Sequence, residues 1–285
     1  MIGIQELLTS IEVGLILGIV AIGVFTTFKT INFADMTCDG SFVSGAAVTA
    51  VLIRGGINPY LAILASMIAG GIAGVLTAVL NVKYKIADLL AGIIVAYMLY
   101  SVNLMVMGNS PSVTFVDHRT IFSDSSLPAV VVMTMLVTAV TCMMFSSFGL
   151  KLRAVGYNKQ FATTHGIDVD KITILGLAMS NAMIASGGSI FSQFQGFSDV
   201  SGGFGMLVMG LASIIVGTNV LPFKREPLLI LSCIAGSILY RLFINVALHS
   251  DALGIKTQNL NLVTGVIMIG IMLMKGGVNR NAKAK

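Results

Sequence analysis

Nine runs of mainly apolar residues follow one another along the chain, at about 7–28, 37–53, 59–80, 86–107, 128–148, 172–194, 203–220, 226–248 and 258–275. A helix needs about 20 such residues to cross a hydrocarbon core roughly 30 Å thick. Only helices and closed barrels satisfy every backbone N–H and C=O in lipid. These runs are continuous rather than alternating, which excludes the barrel. The sequence therefore predicts an all-α integral membrane protein, a polytopic bundle of about nine spans (eight to ten). Residues 1–285 form one transmembrane domain. Charged residues are 10% of the chain, against roughly 25% in a soluble domain, too few to cover a water-facing surface. The run at 37–53 is the weakest. It is short, begins beside Asp35 and Asp39, and is expected to be a broken or re-entrant element.

The basic residues orient the bundle. With the N-terminus outside, one side receives thirteen of the 17 Lys and Arg, among them Lys83, Lys85, Lys151, Arg153, Lys159 and Lys171. Arg54, Arg119 and Lys256 fall on the other side, and Arg241 lies within a span. Lys and Arg accumulate in cytoplasmic loops, so the N-terminus is expected outside and the C-terminus in the cytoplasm. The net charge of +5 is then a topology signal, and a nucleic-acid partner is not expected. Arg241 is close enough to the outer end of its span to snorkel, with substrate contact as the alternative.

Small residues mark where helices touch. Ser66, Gly70, Gly74 and Ala78 recur every four residues on one face of the third run, as do Gly14 and Gly18 in the first. Without a hydrophobic drive between helices in lipid, such stripes allow close backbone approach. Cys38, Cys142 and Cys233 are scattered and odd in number. They suit neither a disulfide framework nor a metal site and read as small packing residues.

The longest inside loop, 149–171, carries a short helix with both ends marked. Asn158 is a good N-cap residue, and Gly166 can close the helix in the left-handed region. Phe161 and His165 lie four apart on one face. Two turns are too few to be stable alone, so a partner surface is expected, and on the cytoplasmic side that partner is a soluble protein.

The loop motif Gly149-x-Leu-x-Arg-Ala-Val-Gly-x-Asn, then Ala162 and His165-Gly-Ile-x-Val, resembles the cytoplasmic coupling loop of the branched-chain amino acid and ribose permeases of ABC importers. Ile31-Asn-Phe-Ala-Asp-Met with Gly40 and Gly45-Ala46 resembles that family's segment after the first span. Ser186-Gly187-Gly188, Gly202-Gly203-Phe204-Gly205 and Leu211 to Gly217 resemble its glycine-rich region. The resemblance implies a type II-like importer domain in a bacterial inner membrane. It implies a second permease copy, two ATPase subunits and an external binding protein. Coupling to the ATPase would fall to Arg153, Gly156, Asn158, Lys159, Phe161, Ala162, His165 and Gly166. The chain has no Gly-x4-Gly-Lys-Ser/Thr phosphate loop. No cofactor is expected on it, ATP and Mg being held by the partner ATPase.

Polar residues in spans imply either helix–helix hydrogen bonds or a pathway. The candidates are Asn32, Asp35, Asn103, Asn181, Gln193, Gln195 and Asn245. The rival classes are an ion-coupled secondary transporter and an intramembrane enzyme. Glu12, Asp35 and Asp88 all read as lying near span ends, which disfavours the first. The dispersed His118, His165 and His249 disfavour the second. The family resemblance implies an amino acid, aromatic or branched-chain, as the solute, with a sugar or nucleoside as alternatives.

Overall fold

The computed structural model describes residues 4–123, 125–223 and 228–248, together with Gly265. Helix α1 (Ile4–Phe25) ends in one π-helical turn, Thr26–Ile31. Then come α2 (Thr37–Arg54), α3 (Pro59–Val82), α4 (Asp88–Val106), strand β1 (Ser112–Thr114), α5 (Leu127–Phe145), α6 (Ser147–Tyr157) and α7 (Lys159–Thr164). The chain continues through α8 (Val169–Gln195), β2 (Phe197–Asp199), a 3-10 turn (Val200–Gly203), α9 (Met206–Val220) and α10 (Leu229–Leu248). Local chemistry sets several boundaries. Pro59 opens α3 while the Asn58 side chain accepts from the Tyr60 N–H at 2.9 Å. The C-cap of α8 is Gly196, in the left-handed region with φ 78°.

Among the described residues, seven helical segments are long and apolar enough to cross a membrane: Gln5–Ile31, Pro59–Val82, Asp88–Val106, Leu127–Phe145, Val169–Gln195, Val200–Val220 and Leu229–Val246. The expected ninth span, 258–275, lies, apart from Gly265, outside the described residues. The second run is not broken. It forms α2, a continuous helix of 18 residues, mostly buried against α3, α4 and α8. The sequence reading went astray because α2 is polar on the faces that meet its neighbours. Ser41 donates to Asn181 at 2.7 Å, Ser44 to Asn103 at 2.8 Å, and the Thr49 and Ser189 hydroxyls lie 2.6 Å apart. A helix enclosed by other helices can carry such groups, because the neighbours satisfy them.

The bundle is organised around α8, whose 27 residues give a rod of about 40 Å. Its contacts show α1 and α3 antiparallel to it: Gly23 meets Ser180 and Ile184, and Gly187 meets Val20 and Ile16; Gly70 meets Ala185 and Asn181, and Gly74 meets Leu177. Helix α2 runs parallel to α8, as the Ser41–Asn181 and Thr49–Ser189 bonds require. The small-residue stripe of α3 is buried, and a Cβ on Gly70 or Gly74 would collide with the α8 backbone. Gly14 and Gly18 face Ile238, Ser237 and Ile234 of α10 in the same way. Cys38 and Cys233 are buried, whereas Cys142 is exposed.

The expectation of a purely helical chain misses one small feature. Strands β1 and β2 pair antiparallel, Ser112 opposite Asp199 and Thr114 opposite Phe197. The ribbon ties the loop after α4 to the end of α8. Segments of three residues carry too little periodicity to be read from sequence.

Candidate functional site

Two regions collect the polar and loop residues singled out by sequence, and α1 joins them. The first is the loop between α5 and α8. Asn158 is the N-cap of α7, its Oδ1 accepting from the Phe161 N–H at 3.0 Å. Gly166, with φ 74°, turns the chain, so that the Gly166 N–H reaches the Thr163 carbonyl and the Ile167 N–H the Ala162 carbonyl, both at 3.0 Å. Ala162 is fully buried. On the outer face the rings of Phe161 and His165 stack with centroids 4.0 Å apart, and His165 Nδ1 lies 2.9 Å from the Phe161 carbonyl oxygen. Phe161 is 53% exposed and Tyr157 93% exposed. Lys159 and Gln160 are also on the exposed face.

The helix preceding α7, missed by sequence reading, anchors the loop. Leu152 and Val155 of α6 are buried. A Cβ on Gly156 would strike the Thr30 carbonyl of the π-turn, and a Cβ on Gly176 of α8 would press on Ile31 and Leu152. Arg153 Nη1 donates to the Met144 carbonyl at 2.9 Å, satisfying an orphan acceptor at the end of α5. So α6 is keyed to the ends of α1, α5 and α8 while α7 projects. Asp168 starts α8 by accepting from the Lys171 N–H at 3.1 Å and pairing with its Nζ at 2.9 Å. The backbone bond foremost, then the Lys171 side chain, holds its carboxyl below the usual carboxylate range.

The second region begins where the π-turn ends. Asn32 takes the left-handed conformation, φ 58° and ψ 48°, and its side chain is exposed. The next residues turn back into the bundle instead of emerging, with Phe33 and Asp35 buried. Asp35 thus lies at a span end, two residues before α2, yet is enclosed by the bundle. One of its oxygens accepts from the Thr37 N–H at 2.8 Å and the other from Asn181 Nδ2 at 2.7 Å. Asn181 also donates to the Leu177 carbonyl and accepts from Ser41, and the Thr37 and Thr77 hydroxyls meet at 2.6 Å. One hydrogen-bonded cluster thus bolts the start of α2 to α3 and α8.

The remaining candidates disperse. Asn103 bonds Ser44 and the Gly40 carbonyl. Gln193 accepts from the Ile121 N–H at 3.2 Å, which holds the loop after β1. Asn245 donates to Ser10 Oγ at 2.8 Å. Gln195 is exposed and faces a cavity of about 850 Å³ that also takes in Phe42, Phe191, Asp199 and Arg241. A smaller cavity, about 400 Å³, lies beside α4 and is lined by Met36, Asp39, Tyr97, Tyr100, Asn103 and Phe204. Sequence reading passed over Asp39. Its carboxylate accepts from the Leu207 N–H at 2.9 Å and the Gly205 N–H at 3.3 Å, so it caps α9 from another helix. The only signal was its place at the polar start of α2.

Asn181→Leu is expected to lower stability by about 1–3 kcal/mol, because Asp35 and Ser41 lose a buried partner. Thermal unfolding of the detergent-solubilised protein measures it, and an unchanged midpoint would contradict the cluster's role.

The described helices, seven of them long and apolar enough to cross a membrane, with a keyed loop between α5 and α8, make a polytopic helical membrane protein. The profile of the family described as "Branched-chain amino acid transport system / permease component" matches residues 7–272, and the chain belongs to that family. It is 38% identical over 288 residues to a tyrosine transport system permease protein of Clostridioides difficile, covering 99% of this chain and 94% of the relative. It is 26% identical to a nucleoside ABC transporter permease protein of Lactococcus lactis, covering 71% of this chain and 68% of the relative. Among solved structures, PsaBC from Streptococcus pneumoniae in complex with Fab has a TM-score of 0.53 at 12% identity, covering 94% of this chain and 95% of that one. A metal-chelate type ABC transporter in an inward-facing conformation gives 0.52 at 14% identity, with 96% and 87% covered. The chain is therefore an ABC transporter permease subunit for a small solute. It is not an enzyme, and it is a multi-pass protein of the bacterial inner membrane.

Proposed function

We propose that this chain is the permease of an ATP-driven importer and that it carries an aromatic amino acid inward. The observation that carries the coupling half of this reading is the projecting α7. It presents the Phe161–His165 stack outward, while α6 behind it is keyed to α1, α5 and α8. An apolar side chain of that exposure on a capped two-turn helix suits a groove on an ATPase. Closure of two ATPase subunits would push α7. Because α6 is wedged against the π-turn, the push would reach α1 and the Asp35–Asn181 cluster rather than dissipate in the loop. Arg153, Gly156, Asn158, Lys159, Ala162 and Gly166 support that contact by shaping the loop. ATP and Mg reside on the ATPase.

The full assembly comprises two permease copies, two ATPases and an external binding protein that delivers the solute. The sequence reading of about nine spans, with the N-terminus outside and the C-terminus in the cytoplasm, is part of this proposal. The thirteen-to-three division of basic residues supports that orientation. The relative named for tyrosine transport supports an aromatic amino acid, as do the aromatic walls of both cavities. Of the path candidates, Gln195 and Asn103 line cavities, whereas Asp35, Asn181, Gln193 and Asn245 hold helices or loops together and Asn32 sits exposed at the turn.

The test is purification from the native membrane followed by reconstitution. A stoichiometric ATPase bearing a phosphate loop should accompany the chain. Vesicles holding the complex should take up labelled tyrosine only with ATP, with a C-terminal tag on the ATPase side. Uptake driven by an ion gradient without an ATPase would refute the importer reading, and ATP-driven uptake of a nucleoside instead would refute the substrate.

A further inference from the structure

Arg241 is a cation within the membrane-crossing part of α10. Among the described residues no acid lies within salt-bridge distance of it, the ion pair found there being Lys171–Asp168. Its level follows from the helices around it. Gly14 of α1 meets Ile238, and Asn245 reaches Ser10, so Arg241 lies abreast of α1 between those two contacts, about two turns in from its first residues. A guanidinium there is costly unless it finds an anion or water. It lines the 850 Å³ cavity together with Gln195, Asp199, Phe42 and Phe191.

The chemistry of that lining is mixed in a specific way. Phe42 and Phe191 form a tilted pair with ring centroids 5.7 Å apart, an aromatic wall within the same cavity as the cation. Asp199 Oδ1 accepts from the Ser201 N–H at 2.6 Å, and a carboxylate retains further acceptor capacity beyond that bond. The cavity thus offers a planar two-pronged cation, an acceptor of negative charge and a stacking surface. A zwitterion with an aromatic side chain has the complementary groups: carboxylate, ammonium and ring.

We infer that this cavity is a substrate subsite in which Arg241 binds the α-carboxylate of an aromatic amino acid, resting on the importer reading above. Asp199 and the Gln195 amide oxygen receive the ammonium, and Phe42 and Phe191 flank the ring. Arg241 is then a specificity-determining residue. It favours amino acids over nucleosides and sugars, which bring no carboxylate to pair with a guanidinium fork.

Snorkelling to lipid phosphate is the other use of a cation at this level. The two uses differ in their tolerance of lysine. A membrane anchor needs only a positive charge, whereas a bidentate carboxylate site needs the fork. Arg241→Lys and Arg241→Gln are to be reconstituted with the ATPase and binding protein, and ATP-driven uptake of labelled L-tyrosine measured. Equal co-purification of the ATPase shows that the variants are assembled. Both variants are expected to lose at least tenfold in uptake. Full uptake by Arg241→Lys would assign the residue to lipid anchoring and overturn the subsite. Full uptake by Arg241→Gln would overturn it as well, while the wild type's uptake keeps the importer reading intact. A wild-type complex that carries no amino acid at all overturns both.

Discussion

Phe161→Asp is expected to reduce ATP-driven uptake at least thirtyfold while the protein still inserts and folds. The wild-type ring is half exposed and contacts His165 on the outer face of α7. Removing it therefore leaves no cavity in the bundle. The cap from Asn158, the turn at Gly166 and the buried Ala162 all persist. What is lost is an apolar anchor for a partner groove, replaced by a charge that the groove would have to desolvate. Truncating an interface anchor costs 2 kcal/mol or more, which by itself is about thirtyfold in binding. Hydrolysis by the ATPase should then proceed without transport, or the ATPase should fail to co-purify. Two measurements decide it: uptake into proteoliposomes, and thermal unfolding of the variant. Wild-type uptake would remove Phe161 from the coupling surface. A collapsed melting transition would show instead that the residue matters for folding.

Gly45→Leu should have the larger effect on folding. A Cβ at Gly45 would sit on the Ala185 carbonyl of α8, and Gly188 of α8 meets the Phe42 carbonyl of α2 in the reciprocal way. The two helices approach backbone to backbone, so no side-chain rotation can relieve the collision. The helices must separate. That pulls on Ser41–Asn181 and Thr49–Ser189 on the same face. An overpacked core site typically costs about 1–3 kcal/mol. Here the loss of the neighbouring hydrogen bonds adds to it, and effects beyond about 4 kcal/mol are diagnostic of such a site. The expected result is a protein that is made and degraded, or that elutes as aggregate in size-exclusion chromatography. Gly202→Leu is the control, since a Cβ there meets nothing within 4 Å. A monodisperse Gly45→Leu protein with a normal melting temperature would contradict the packing of α2 on α8.

Some parts of the site were legible in the residues and others were not. The caps of α7 were, because Asn at an N-cap and Gly after a helix act within a few residues of themselves. The helix-contact stripe on α3 was legible too, because a four-residue repeat of small side chains is a local signal of close approach. Helix α6 was not, since its neighbours α5 and α7 absorbed it into a loop reading. The burial of Asp35 was not legible for a related reason. Its surroundings look like a span end in the linear chain, and only the fold-back after Asn32 brings Asn181, 146 positions away, to its carboxylate. Asp39 shows the same limit, its two partners lying 166 and 168 residues further on.

The sequence by itself determined that this chain lives in a bilayer as a helical bundle, where most of its helices lie, and that it belongs with permeases. The first two follow from run length and charge distribution, which act over a few residues at a time, and the third from the resemblance of its loop and glycine-rich motifs to that family's. Tertiary structure alone decided that α2 is a full helix despite its polar residues, because their partners are supplied by α3, α4 and α8. It also decided which polar residues are bolts and which line cavities. A hydroxyl or amide in a span must find a partner in a low-dielectric interior, and the identity of that partner is a matter of distance in space rather than along the chain.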